Sequence, residues 1–97
     1  MRMIMNALIV YEFGHEHVET RLYFVKVDGE ELKKLKLCHG KYLEGAGNKP
    51  EDVDALKWLD EELEKGKFKD CRIKHNAVAT LEKEDVPVVV IVSGHAL

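Results

Sequence analysis

The sequence predicts an α+β fold in a single small domain, 1–97, built around a mainly antiparallel sheet of about four strands. Two apolar, β-branched-rich runs lie at 3–11 and 86–92, and an amphipathic segment lies at 50–65. Such runs are typical of strands covered on both faces, so both are predicted to lie in the middle of the sheet. Apolar residues every three to four positions instead indicate a helix. The predicted order is β-β-α-α-β-β, with one long and one short helix on one face of the sheet.

The first two strands are predicted to form a hairpin. Residues 3–11 are apolar except for Asn6, and residues 20–27 alternate loosely between apolar and polar side chains. The segment between them is polar and contains Gly14, as expected of a loop. Two strands joined by so short a loop pair antiparallel.

A short helix is predicted over about 29–38. Asp28 and Glu31 have the three-residue spacing of a capping box at a helix start. Leu32 and Leu35 then supply an apolar stripe. The alternative for this segment is a third strand that follows an Asp-Gly turn.

The longer helix is predicted over 50–65. Pro50 suits the first helical turn, where its missing N–H is not needed, and Gly66 suits the position after the end. The apolar residues recur at helical spacing and place one face toward the core; they are Val53, Leu56, Leu59 and Leu63.

The C-terminal part is predicted to form a second hairpin, from residues 71–82 and 86–92. The second of these runs is dominated by valine and isoleucine, which favour strands. Pro87 must lie at the start of its strand because it has no N–H to donate to a neighbour.

Composition limits the classes of function. The formal net charge of −3 argues against direct nucleic-acid binding by the chain as a whole. No apolar run approaches the ~20 residues that a membrane-spanning helix needs. Cys38 and Cys71 follow no secretory signal, so the sequence predicts free thiols and a cytoplasmic location.

The leading hypothesis is a small protein-interaction module, an inhibitor or adaptor that binds a protein partner through an acidic helix. Acidic residues dominate 51–64 and basic residues dominate 65–75, and such faces can steer a charged partner. Small acidic domains of this kind include phage-encoded inhibitors, and this helix could mimic nucleic-acid phosphates. The candidate partner-binding residues are Asp54, Trp58, Glu61, Glu62 and Lys65.

The alternative is a small hydrolase or nuclease that uses histidines as acid–base groups. Its candidates are His15, His17, His39 and His75. The spacings of known zinc sites are missing, so no metal and no cofactor is predicted. A third hypothesis is a homodimer formed through an open sheet edge.

Overall fold

Strand β1 (Ile4–Phe13) lies at the centre of a five-stranded sheet in the computed structural model, which describes residues 3–14, 16–44 and 47–93. The remaining elements of these ranges are β2 (Glu19–Asp28), α1 (Gly29–Cys38), β3 (Lys41–Tyr42), α2 (Val53–Glu64), β4 (Arg72–Ile73), α3 (Val78–Glu82) and β5 (Val88–Ser93). Short 3-10 turns precede α2, β4 and α3. The strand order is β3-β5-β1-β2-β4, so the prediction of an α+β fold is confirmed.

The predicted hairpin of β1 and β2 is confirmed. The two strands pair antiparallel along ten residues, from Ile4 opposite Asp28 to Phe13 opposite Glu19. Gly14 follows β1 with a φ of +124°, and a Cβ there would lie 2.1 Å from the carbonyl oxygen of His17. The return of the chain therefore requires glycine at this position.

The prediction of a four-stranded, mainly antiparallel sheet is wrong. β5 runs parallel both to β1 and to β3, which makes the sheet mixed. Parallel pairing needs a long crossover, and the chain between β3 and β5 contains α2, β4 and α3. The prediction of inner positions for the two apolar runs is confirmed, because β1 and β5 are each flanked by a strand on both sides.

The predicted second hairpin is also wrong. Within 71–82, the only strand is β4, and it pairs with β2 instead of β5. Residues 75–82 form a 3-10 turn and α3. The half-buried Ala77, Val78 and Leu81 recur at helical spacing and do not alternate, which explains why this segment is not a strand.

Both predicted helices are confirmed, and the third-strand alternative for 29–38 is wrong. The Glu31 N–H donates to Asp28 Oδ1 at 2.8 Å, and the Asp28 N–H donates to Glu31 Oε1 at 3.2 Å, which completes the capping box. A 3-10 turn that begins at Pro50 precedes α2, and Gly66 follows it with a φ of +73°. None of the helices in the described ranges is long and apolar enough to cross a bilayer.

Helices α1 and α2 cover the same face of the sheet. Their buried side chains join those of alternate strand residues in one core, whose most deeply buried large members are Ile9, Val25, Leu35, Leu56, Leu59 and Ile91. The opposite face is more open, since Ile4 is 59% exposed and Val88 is 46% exposed. The packing of α2 against the sheet determines which of its side chains point outward.

Candidate functional site

The outer face of α2 carries exposed carboxylates. Asp54 and Glu61 lie seven residues apart, which places them on one stripe of the helix, on the side away from the buried Leu56 and Leu59. Within the described ranges, neither of the two takes part in an ion pair. The helix therefore presents two carboxylates to solvent, with the exposed Lys57 between them, three residues after Asp54 and four before Glu61.

Trp58 lies on the border between this stripe and the core. Its ring is half-buried and packs against the core. Lys34 Nζ lies 5.1 Å from the ring centroid and Lys67 Nζ lies 5.9 Å from it. Cations at these distances are attracted to the face of an indole ring. Trp58 is thus held by contacts within the chain and is only partly available to a partner.

Glu62 forms ion pairs with both Lys65 and Lys67. Glu62 carboxylate oxygens lie 4.0 Å from Lys65 Nζ and 3.5 Å from Lys67 Nζ. Glu62 is half-buried, whereas Lys65 is largely exposed. Of the five residues predicted to bind a partner, these two have charges that are partly compensated inside the molecule.

The structure does not gather the candidate histidines. His17 is exposed in the β1–β2 loop, and the exposed His39 accepts a hydrogen bond on Nδ1 from the Val90 N–H at 3.0 Å. His75 follows β4, which is separated from β5 by two strands. His15 lies outside the described residues. Within those residues, no group of three or more His, Cys, Asp or Glu side chains could hold a metal ion.

The two cysteines are free thiols with different surroundings. Cys38 is fully buried at the end of α1, while Cys71 is half-buried. Burial, and to a smaller extent the negative charge of Asp52, raise the pKa of the Cys38 thiol to about 12. A thiol that stays protonated is a poor nucleophile, so Cys38 has the properties of a core residue.

A chain of polar side chains crosses β1 and β5. The Ser93 hydroxyl donates to the Glu44 carboxylate, and Tyr11 is hydrogen-bonded to Ser93. The pKa of Tyr11 is raised, chiefly because the ring is buried. A hydroxyl with a raised pKa holds its proton, and this arrangement ties the strands together without activating a nucleophile.

The edges of the sheet bear on the homodimer hypothesis. The strands at its two sides, β3 and β4, are two residues long each. Very short edge strands are one way in which proteins avoid edge-to-edge pairing. The homodimer stays a prediction.

A basic cleft lies beside β2 and β4. It has a volume of about 470 Å³, and its polar lining residues are Thr20, Arg21, Arg72, Lys74 and His75. The sequence pointed to the basic run 65–75 but not to Arg21, which the β2–β4 pairing brings to it. The one signal that could have identified Arg21 is its position as a cation directly before the apolar run 22–25 of β2.

Comparison of this chain with protein-family models, with curated proteins and with solved structures finds no match in any of the three. The function must therefore be argued from the charges and contacts of the chain itself.

Proposed function

We propose that the chain is a small protein-interaction module, an inhibitor or adaptor that binds a basic surface of a protein partner through the outer face of α2. The observation that carries this proposal is the pair of exposed carboxylates of Asp54 and Glu61 on one stripe of a helix, neither of which forms an ion pair with another described residue. Opposite charges steer the encounter of two proteins and select the correct partner.

The rigidity of α2 supports the proposal. Ala55, Leu56 and Leu59 are buried in the main core, which holds the helix against the sheet. A surface that is ordered before binding loses less conformational entropy when the complex forms. The two carboxylates are thus presented at a constant spacing.

A mimic of nucleic-acid phosphates is one form of this proposal. Seven residues of helix separate Asp54 from Glu61 by about 10.5 Å along the axis, so the two carboxylates form a short row of negative charge. A partner with a basic nucleic-acid groove would meet this row with charges of the opposite sign.

We place this activity in the cytoplasm. Cys38 and Cys71 are free, and Cys38 is buried among apolar side chains. Free thiols of this kind are typical of a reducing compartment.

The test is a capture experiment in lysate of the native host, with the partner identified by mass spectrometry. The decisive variant is Asp54→Lys with Glu61→Lys, which leaves the Glu62 ion pairs intact. We expect wild type to retain one stoichiometric partner and the variant to lose it.

The matched control makes the same charge change elsewhere. Glu16→Lys with Glu84→Lys reverses two exposed carboxylates outside α2 and should retain the partner. Equal retention by wild type and the α2 variant would contradict the proposal, as would a well-folded wild-type protein that retains nothing.

A further inference from the structure

The basic cleft beside β2 and β4 is built by the register of the two strands. Tyr23 lies opposite Arg72 in this antiparallel pair. Arg21 lies two residues before Tyr23 in β2, and Lys74 lies two residues after Arg72, just beyond the end of β4, where the backbone remains extended with φ −89° and ψ 155°. Since side chains two apart in extended backbone lie on the same face, Arg21, Arg72 and Lys74 converge.

Arg21 is held in place before any ligand arrives. Its guanidinium carbon lies 4.4 Å from the centroid of the Phe13 ring. Its Nε is buried and has no hydrogen-bond partner among the described residues. An unpaired buried donor is costly to a fold, and a ligand or a bound water that accepts from it would recover that cost.

The cations of the cleft are not neutralised. Within the part of the chain that the structure describes, Arg21, Arg72 and Lys74 form no ion pair. No acidic residue lines the cleft. A second cleft of about 240 Å³ shares Arg21 and Arg72 and adds Lys69, again without a carboxylate.

Asp60 and Glu64 line a third cleft together with Arg21, toward α2. These two carboxylates would repel a long polyanion that extended past Arg21. A small ligand on the β4 side of Arg21 meets no carboxylate among the lining residues of its cleft.

We propose that this cleft binds a small polyvalent oxyanion of the phosphate-ester or diphosphate class. Guanidinium groups bind phosphate oxygens through paired, charge-assisted hydrogen bonds. Lys74 and His75 add donors around the same space, and Thr20 adds a hydroxyl. The volume of about 470 Å³ is within the range of small-ligand sites.

The site is independent of the proposed interaction surface. The oxyanion cleft uses β2, β4 and the turn that follows β4, whereas the partner surface uses Asp54 and Glu61 of α2. Failure of either proposal leaves the other unaffected, because the two sets of variants share no residue.

The experiment is a titration of the full chain with inorganic pyrophosphate at constant ionic strength, followed by calorimetry and by amide NMR shifts. We expect saturable binding at one site, with the largest shifts in residues 20–22 and 72–75. Arg72→Gln with Lys74→Gln should weaken binding at least about tenfold. Both replaced residues are exposed, so the fold should survive.

The control variant is Lys33→Gln with Lys36→Gln, which removes the same charge from exposed positions of α1. It should bind pyrophosphate within about twofold of wild type, because charges beyond a Debye length contribute little. Arg72→Lys tests the role of hydrogen-bond geometry apart from that of charge. It keeps the positive charge but loses the planar guanidinium that donates two parallel hydrogen bonds, so it should weaken binding of pyrophosphate.

Parallel titrations distinguish the sources of the anion. Tighter binding of an organic phosphate monoester than of inorganic phosphate would support an ester ligand, and tightest binding of pyrophosphate would support a diphosphate. Absence of saturation up to about 10 mM pyrophosphate would overturn the proposal. So would equal weakening by the control variant, or far tighter binding of a single-stranded oligonucleotide through the same residues.

Discussion

Lys67 Nζ lies 2.6 Å from Oε2 of Glu31, although the two residues are 36 positions apart in the sequence. The same ammonium lies 3.5 Å from Oε2 of Glu62. These contacts raise the pKa of Lys67, with the hydrogen bond to Glu31 as the largest cause. Lys67 therefore connects the first turn of α1 to the end of α2, next to the ring of Trp58.

Replacement of Lys67 by Met should lower the free energy of unfolding by about 1 kcal/mol. The substitution keeps the aliphatic stem but removes both ion pairs and the cation beside Trp58. The loss stays small because the Lys67 side chain is 41% exposed and its charge is partly screened by solvent. Urea unfolding followed by tryptophan fluorescence measures it.

Lys33→Met is the matched control, since Lys33 is exposed on α1. It should leave stability within about 0.5 kcal/mol of wild type. High salt should reduce the difference between the two variants. Equal stabilities at low salt would show that the contacts of Lys67 do not hold the helices together.

Cys38 should resist alkylation in the folded protein. Its pKa is raised to about 12 by burial and by Asp52, so little thiolate is present at neutral pH. We expect iodoacetamide to modify Cys71 at least about a hundredfold faster than Cys38, as mass spectrometry of the peptides would show. In denaturant, Cys38 and Cys71 should react at similar rates. Similar rates in the native protein would contradict the burial of Cys38.

The same shift predicts a pH dependence of stability. The folded-state pKa of Cys38 is above the ordinary value of 9.0. The stability that the protonated Cys38 thiol contributes is therefore complete below pH 9.0 and is lost as the pH rises toward 12. Between about pH 8 and about pH 11, the stability advantage of wild type over Cys38→Ala should shrink. An advantage that stays constant or grows with pH would refute the shift.

Ile9→Ala should destabilise the protein by about 2–5 kcal/mol, because Ile9 is fully buried at the centre of the sheet. It lies opposite Val89 in the parallel pair of β1 and β5. Ile4→Ala, at the exposed start of the same strand, should cost less than about 0.5 kcal/mol. The urea midpoints of the two variants, at an unchanged m-value, compare their free energies of unfolding. Equal losses of stability in Ile9→Ala and Ile4→Ala would argue against this packing of β1.

The elements that the sequence predicted well are specified by local patterns. The apolar run of β1, the Asp28–Glu31 capping box and the helical spacing in α2 act within a few residues. They need no knowledge of the rest of the chain. The prediction of a strand over 71–82 is wrong because it is based on a few apolar residues. Two of them, Val78 and Leu81, have helical spacing.

The partner of β5 could not be predicted in the same way. Its run of valines is compatible with any position that is covered on both sides. The choice between a hairpin with 71–82 and a parallel pair with β1 depends on which strand edge is free once β1 and β2 have paired. That is a property of the assembled sheet.

The same distinction between local patterns and the assembled fold applies to the candidate sites. The concentration of acidic residues in one helix and of basic residues in the run that follows it can be read from the order of residues alone, because charge is a property of each side chain. The pairing of Glu62 with Lys67 and the meeting of Arg21 and Arg72 in one cleft cannot. Both depend on strand register and helix packing, which bring together residues that are distant along the chain.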